Sequence, residues 1–410
     1  MSLRWAPVDS GPRGFTAPAL TTHRPCPVCG SLAARPFLEL PEYQFYTDDP
    51  HLPKRATVRD VQCESCFAAF LNPVYTDTGF QILFAEAEKS YGATEGHMAE
   101  QLEWMGERGL LTESTGTAVL DVGCYDGGLL ALMPEGVRLL GVDIDPQAIE
   151  RGRQRLGDAA ELVHGDFESF QISTTPDLIL MFHVLEHLPR PVAALAALRA
   201  VAHADTKLVI EVPVLEGRPT NDVVGFFTIQ HTTHFSRRSL TNCLARAGWR
   251  IVESACHLDY NGERVLCEPA EPQAGTVGDP EDVVRLREAI VRWQRAAIDV
   301  ARATTPLAQA DRCVIWGGGA HIEHIYATTP FFQVRPQREY VIVDSDETKQ
   351  GRTWRGIGIH SPEALADPSA AGVPLLVSSY GSQPEIVRAA AERGVEPERI
   401  VTLYESVSSY

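Results

Sequence analysis

The sequence predicts an α/β protein of several units: a cysteine-bearing N-terminal module, a doubly wound and largely parallel sheet, and a second α/β sheet toward the C-terminus. Three observations predict it. Short apolar runs ending in glycine or aspartate alternate with helical stretches between residues 117 and 256, the same alternation restarts at Arg312, and two Cys-x2-Cys pairs precede both. A chain of 410 residues exceeds what one ordinary core supports. The units are read as residues 1–75 (N-terminal zinc-binding module), 76–270 (first α/β core), 271–305 (linker and amphipathic helix) and 306–410 (C-terminal α/β domain, expected to bind substrate).

The N-terminal module rests on Cys26-Pro-Val-Cys29 and Cys63-Glu-Ser-Cys66. Each pair sets two thiolates on one tight turn, and the four sulfurs complete a tetrahedral shell for a structural Zn²⁺ with no open position for catalysis. The other five of the nine cysteines are scattered singly, which a disulfide framework does not explain. Residues 30–62 separate the knuckles, so a hairpin or loop is inserted between them.

From Thr76 to Leu111 the chain reads as helix, with Met98, Leu102, Met105 and Leu110 on one face. Strands follow at Thr117–Gly123, Arg138–Asp143, Asp177–Phe182 and Lys207–Val212, separated by helical stretches such as Pro146–Leu156 and Pro191–Ala202. Glu268–Pro280 is rich in Pro, Gly and acidic residues and reads as a linker. Glu281–Thr304 carries Val283, Leu286, Ile290, Ala297 and Val300 at helical spacing. Cys313–Trp316, Glu339–Asp344 and the run from Val373 are the strands of the second alternation.

Composition excludes several functions. With 54 acidic against 36 basic residues the net charge is −18, which repels phosphate backbones and disfavours a nucleic-acid partner. No apolar run approaches the ~18–20 residues of a membrane span, and the first 25 residues lack the apolar stretch of a signal peptide, so a cytoplasmic protein without a membrane partner is expected. An oligomeric state is not legible.

The most informative segment is Val119-Leu-Asp-Val-Gly-Cys-Tyr-Asp-Gly-Gly-Leu-Leu130, followed by Gly141-Val-Asp-Ile-Asp145. Gly123 ends a strand where backbone must approach a ligand, Gly127 and Gly128 keep the turn open, and Asp143 ends the next strand where a carboxylate can accept ribose hydroxyls. Tyr125 occupies the second glycine position of a dinucleotide fingerprint, so a cofactor without phosphates fits better. Gly165-Asp166-Phe167 places a further carboxylate after another short strand.

With these residues in this order, and with His183-Val-Leu-Glu-His187-Leu-Pro-Arg-Pro191 behind them, residues 117–256 resemble the class I S-adenosylmethionine-dependent methyltransferases, whose core is Rossmann-like. The resemblance implies that Gly123 meets the methionine portion, Asp143 the ribose, and Asp166 with Phe167 the adenine. Tyr91, Asp121, Tyr125, Asp126, Gly127, Ile144 and His183 complete the implied cofactor site. His183-x-x-Glu186-His187 also matches a metallopeptidase pattern, but its position straight after a strand, inside the methyltransferase order, argues against peptidase chemistry.

Taken with the cysteine module and the C-terminal Val314-Ile-Trp-Gly-Gly-Gly-Ala-His321 and Val341-Ile-Val-Asp344 segments, nearly the whole chain resembles the three-domain, zinc-containing sugar C-methyltransferases that act on nucleotide-linked deoxysugars. That implies an enzyme transferring a methyl group to a sugar-nucleotide acceptor in secondary-metabolite biosynthesis. His231 is then the candidate base and His234 the second choice. Phe226 and Phe227 are expected to wall the acceptor, and Gly317, Gly318, Gly319, His321 and Asp344 to contact it. Gln230 stands where that family carries a glutamate, and a neutral amide does not stabilise an imidazolium as a carboxylate does.

Three competing readings remain open. One is O- or N-methylation of a sugar or another natural-product intermediate. The others are a non-catalytic zinc-containing scaffold, and a second, redox site on the C-terminal glycine loop with Asp344 on a nicotinamide nucleotide.

Overall fold

A computed structural model of the chain describes residues 3–9, 19–49, 51–52, 54–86, 95–111, 117–165, 174–257 and 260–407. Strand β1 (Thr21–Thr22) pairs with β5 (Val74–Tyr75), and between them β2 (Ala34–Gln44), β3 (Arg55–Cys63) and β4 (Ala69–Leu71) form an antiparallel sheet. The hairpin β2–β3 is the insertion between the two cysteine knuckles. Its tip buries Tyr43, Phe45, Leu71, Tyr75 and Phe84 in an aromatic cluster.

The single helix expected over 76–111 is two helices, and this expectation is corrected. Helix α1 (Asp77–Leu83) starts at Thr76, whose hydroxyl accepts the Gly79 N–H at 2.9 Å, and it ends where Leu83 and Phe84 join the aromatic cluster. Helix α2 (Glu95–Glu107) packs Met105 fully and Met98 and Leu102 partly against the next sheet, and Leu110, beyond the end of the helix, joins the same core. Gly109, at φ +64°, turns the chain out of it.

The central sheet holds β6 (Ala118–Val122), β7 (Arg138–Asp143), β8 (Ala160–His164), β9 (Leu178–Phe182) and β10 (Lys207–Val212), all parallel. Helices α3 (Pro146–Leu156) and α4 (Pro191–Val201) are crossovers within it. A two-residue strand, β11 (Thr233–His234), leaves this unit and pairs with β4. After α5 (Arg237–Arg246), β12 (Trp249–Cys256) and β13 (Glu263–Pro269) complete the sheet as antiparallel strands in the order β12-β13-β10-β9-β6-β7-β8. The order reverses between β6 and β9, so the crevice at the carboxyl ends of those two strands is where such a sheet binds ligands.

Helix α6 (Glu281–Ala303) buries Leu286, Ala289, Ala296, Ala297 and Val300. It leads into a second sheet of β14 (Arg312–Trp316), β15 (Glu339–Val343), β16 (Thr353–Trp354), β17 (Ile357–His360), β18 (Leu375–Val377) and β19 (Ile400–Val401), with helices α7 (Ala320–Thr328) and α8 (Gln383–Glu392). Residues 3–9 join this sheet rather than the cysteine module: Ala6 bridges Tyr340, and the Trp5 indole donates to Ser369. The units interlock elsewhere too. Glu323 on α7 pairs with Arg355 and accepts the Gln44 N–H from β2, while His324 Nδ1 meets the Tyr43 hydroxyl at 2.5 Å. No helix among the described residues is long and apolar enough to cross a membrane.

Candidate active site

A cavity of about 920 Å³ opens at the reversal point of the central sheet. One end is built by the glycine loop. Gly123, at φ +77°, lies so close to Val184 that a Cβ there would come within 2.3 Å of its methyl group, so only glycine lets the turn pass. Asp143 ends β7 with Oδ2 accepting the Tyr125 N–H and Oδ1 accepting the Asp145 N–H, both at 2.8 Å. Burial raises the Asp143 carboxyl above its ordinary range while those amides pull it down. Asp121, fully buried and next to Asp143, is pushed up to about 7 by burial and then by that neighbouring charge. Ile144 is 57% exposed at the cavity wall, an apolar surface offered to a ligand.

Asp121, Gly123, Tyr125, Asp126, Asp143, Ile144 and His183 all line this cavity. Gly127 does not: at φ +72° it packs beneath Leu156, where a Cβ would come within 2.7 Å. Tyr91, Asp166 and Phe167 lie outside the described residues.

His183, in the left-handed region at φ +55°, is gripped on both sides. Its Nε2 is 2.9 Å from Glu211 Oε1 and its Nδ1 is 3.4 Å from Glu186 Oε1. Burial by itself would lower this imidazole, but the two carboxylates hold it up at about 10. Glu211 is also bound by Arg264 Nε at 2.6 Å and by the Tyr260 hydroxyl.

The other end of the cavity is the segment 213–231, walled by Ala289, Arg292 and Trp293 of α6. Trp293 Nε1 donates to Val223 O at 2.9 Å and fixes this segment to the helix. Phe226, Phe227 and His231 line the space. His231 Nδ1 faces Phe226 O at 3.3 Å, and burial, then the nearby His187 and His234 rings, push this imidazole well below its usual range. Gln230 turns away from it and donates to the Tyr46 hydroxyl at 3.1 Å.

His234 does not reach the cavity. It is fully buried behind Phe226 and Phe227, with Nε2 2.9 Å from Asp60 Oδ1. Gly317, Gly318, Gly319, His321 and Asp344 also lie outside the cavity. The Gly318 N–H donates to Asp344 Oδ2 at 2.8 Å, and a Cβ on Gly317 would meet Ser378 O at 2.3 Å, so this loop is packed by its own chain. His321 is held by Ser378 Oγ and the Tyr404 hydroxyl.

Sequence reasoning named Glu186 without a site role, and it missed Glu211, His97, Tyr260 and the α6 wall. Glu186 and His187 were visible as part of the H-x-x-E-H spacing, whereas Glu211 on β10 and Tyr260 in the β12–β13 connection have no local signature.

In the N-terminal module all four cysteine sulfurs lie within 4.8 Å of one another. Cys26 and Cys66 are 3.6 Å apart and Cys29 and Cys63 3.5 Å, near the ~3.8 Å edge of a tetrahedron with ~2.3 Å metal–sulfur bonds. None of the four is in a disulfide, and Cys63 Sγ accepts the Ser65 and Cys66 N–H groups. The donor set fits a zinc ion.

Residues 95–254 match the protein family described as a methyltransferase domain. A 103-residue stretch is 32% identical to the mitochondrial ubiquinone biosynthesis O-methyltransferase of Schizosaccharomyces pombe, covering 23% of this chain. The chain spans 38% of that relative's length. Among solved structures, an S-adenosylmethionine-dependent methyltransferase from Clostridium acetobutylicum aligns over 47% of this chain and 99% of its own, at 8% identity and a TM-score of 0.36. The 1,6-didemethyltoxoflavin-N1-methyltransferase of Burkholderia thailandensis aligns over 50% of this chain and 96% of its own, at 18% identity and a TM-score of 0.37.

Proposed function

We propose that this chain transfers the methyl group of S-adenosylmethionine to a small-molecule acceptor. The observation that carries the reading is one continuous cavity joining the Gly123–Asp143 end, inside the methyltransferase-domain match, to the Phe226–His231 end. S-adenosylmethionine, when bound, supplies an electrophilic methyl group on a sulfonium. The chain's part is to hold the cofactor on Asp143 and the glycine loop, keep water out with Phe226, Phe227 and Trp293, and align the acceptor; such positioning supplies much of the acceleration.

For the acceptor we propose a nucleotide-linked keto-deoxysugar methylated at carbon, with His231 taking the proton beside the ketone. Its support is the full-length resemblance and the guanidinium groups of Arg218 and Arg292 on the cavity wall, which suit a diphosphate. A second reading, methylation at oxygen, is favoured by Gln230, which takes the place of the glutamate expected next to His231 in sequence and is bonded to Tyr46 instead. We further propose one structural zinc on Cys26, Cys29, Cys63 and Cys66.

The test is a mass-spectrometric screen of sugar nucleotides with isotope-labelled methyl donor. A labelled product establishes transfer and identifies the atom. Absence of cofactor binding by calorimetry would leave a scaffold role instead.

A further inference from the structure

Glu186 is 1% exposed, and neither of its carboxylate oxygens accepts a hydrogen bond. His183 Nδ1 lies 3.4 Å from Oε1 as one charge partner, but no hydrogen bond reaches Oε2, and buried charges are ordinarily fully paired or bound to metal. Two further histidines sit beside it. One ligating atom from each of Glu186, His187 and His231 falls within 4.8 Å of the other two, and all three residues line the cavity.

The rings are oriented for lone-pair donation. His187 Nδ1 is 3.0 Å from Gln230 O and His231 Nδ1 is 3.3 Å from Phe226 O, so in each neutral ring Nδ1–H donates to a carbonyl and Nε2 carries the lone pair. A backbone carbonyl on the far nitrogen is the usual support of a metal-bound imidazole. His187 Nε2 is 3.9 Å from Glu186 Oε1.

The two segments that meet here are also locked together. Glu186 and His187 share one tight turn, Leu185–His187, and His231 comes from the loop before β11. The Thr232 N–H donates to Glu186 O at 2.8 Å and the Thr232 hydroxyl to Leu188 O at 2.8 Å. Arg24 bridges Pro189 O and Thr232 O from the other side. The neighbouring cluster His97–His183–Glu211 lacks this character, because the Arg264 guanidinium already donates to Glu211 Oε2 at 2.6 Å.

We propose that Glu186, His187 and His231 bind one divalent first-row transition-metal cation, with its remaining coordination positions facing the acceptor space. Two imidazoles and one carboxylate form a borderline ligand set that suits zinc and its neighbours better than calcium or magnesium, and three protein ligands leave room for an exogenous oxygen.

The role of this cation rests on the methyl-transfer reading in its oxygen version. An acceptor hydroxyl bound to the cation becomes more acidic. Its O–H bond breaks and the proton leaves to solvent, the oxygen pair forms the bond to the methyl carbon, and the carbon–sulfur pair returns to sulfur as a thioether. His231 is then a ligand and not the base.

The test adds cobalt(II) to the full-length protein with zinc on its cysteines and follows the visible spectrum. One equivalent should bind with ligand-field bands and no thiolate-to-cobalt charge transfer. Glu186→Gln and His187→Gln should each weaken uptake beyond the ~10–100-fold typical of losing an outer partner. Retained cysteine-bound zinc and an unchanged far-ultraviolet circular dichroism spectrum would show that the variants fold. Uptake only with thiolate charge transfer, or unchanged uptake by Glu186→Gln, overturns the site, and if neither variant folds the wild-type spectrum still decides. Cofactor binding without such uptake removes the cation site alone; uptake without cofactor binding removes the methyl-transfer reading and leaves the site.

Discussion

His234 Nε2 donates to Asp60 Oδ1 across 2.9 Å, with both side chains buried, and this bond ties the loop that carries His231 to the sheet of the cysteine module. The β4–β11 pairing reinforces it. Asp60→Ala would leave His234 without its carboxylate, so a loss of about 1–3 kcal/mol is expected. Turnover should fall as well, with cofactor affinity retained. An unchanged melting temperature in a thermal scan would mean that the pair does not hold the loop.

Metal analysis should find one zinc on the four cysteines. Cys66→Ser should lose it and also impair turnover, because Cys66 lies just before β4, which supports the His231 loop through β11. A folded, active protein with no zinc on these cysteines would end the claim.

Asp143→Ala should weaken S-adenosylmethionine binding by about 1.5–3 kcal/mol, the scale of hydrogen bonds to a charged group. The same substitution also releases the Tyr125 and Asp145 N–H groups, so the glycine loop loses its internal anchor. Calorimetry measures both enthalpy and affinity, and an unchanged dissociation constant would move the ribose contact elsewhere.

Asp121 makes stability depend on pH. Its folded-state carboxyl is raised to about 7, so between the unfolded value near 4 and about 7 the folded chain binds more protons than the unfolded one. Stability from this group therefore falls as pH rises through that window, and the cost is complete above it. Asp121→Asn should melt higher than wild type at pH 8 and show no gain near pH 3. Equal melting temperatures at pH 8 would contradict the shift.

His231→Asn should lower the turnover number by about 10²-fold or more with cofactor affinity nearly unchanged. Deuterium exchange at an acceptor carbon, run without methyl donor, separates proton removal at carbon from the oxygen route. Exchange that persists in the variant would remove His231 from that step.

What the residues alone determined was local. Gly123, Asp143 and the β–α alternation were legible because a strand-ending glycine and a carboxylate at the next strand end act within a few residues of each other, and the Cys-x2-Cys pairs were legible because each knuckle is one turn. Tertiary structure decided the rest. Gln230 follows Ile229 in sequence, yet its partner is Tyr46 from the far hairpin; His234 is three residues from His231, yet only one of the two faces the cavity. The Gly317–Gly319 loop has the composition of a phosphate site, but the Asp344 carboxylate fills the Gly318 amide. Glu186 meets His231 across separate segments because Thr232 pairs with the turn at Glu186, a contact between residues 46 positions apart that no local spacing encodes.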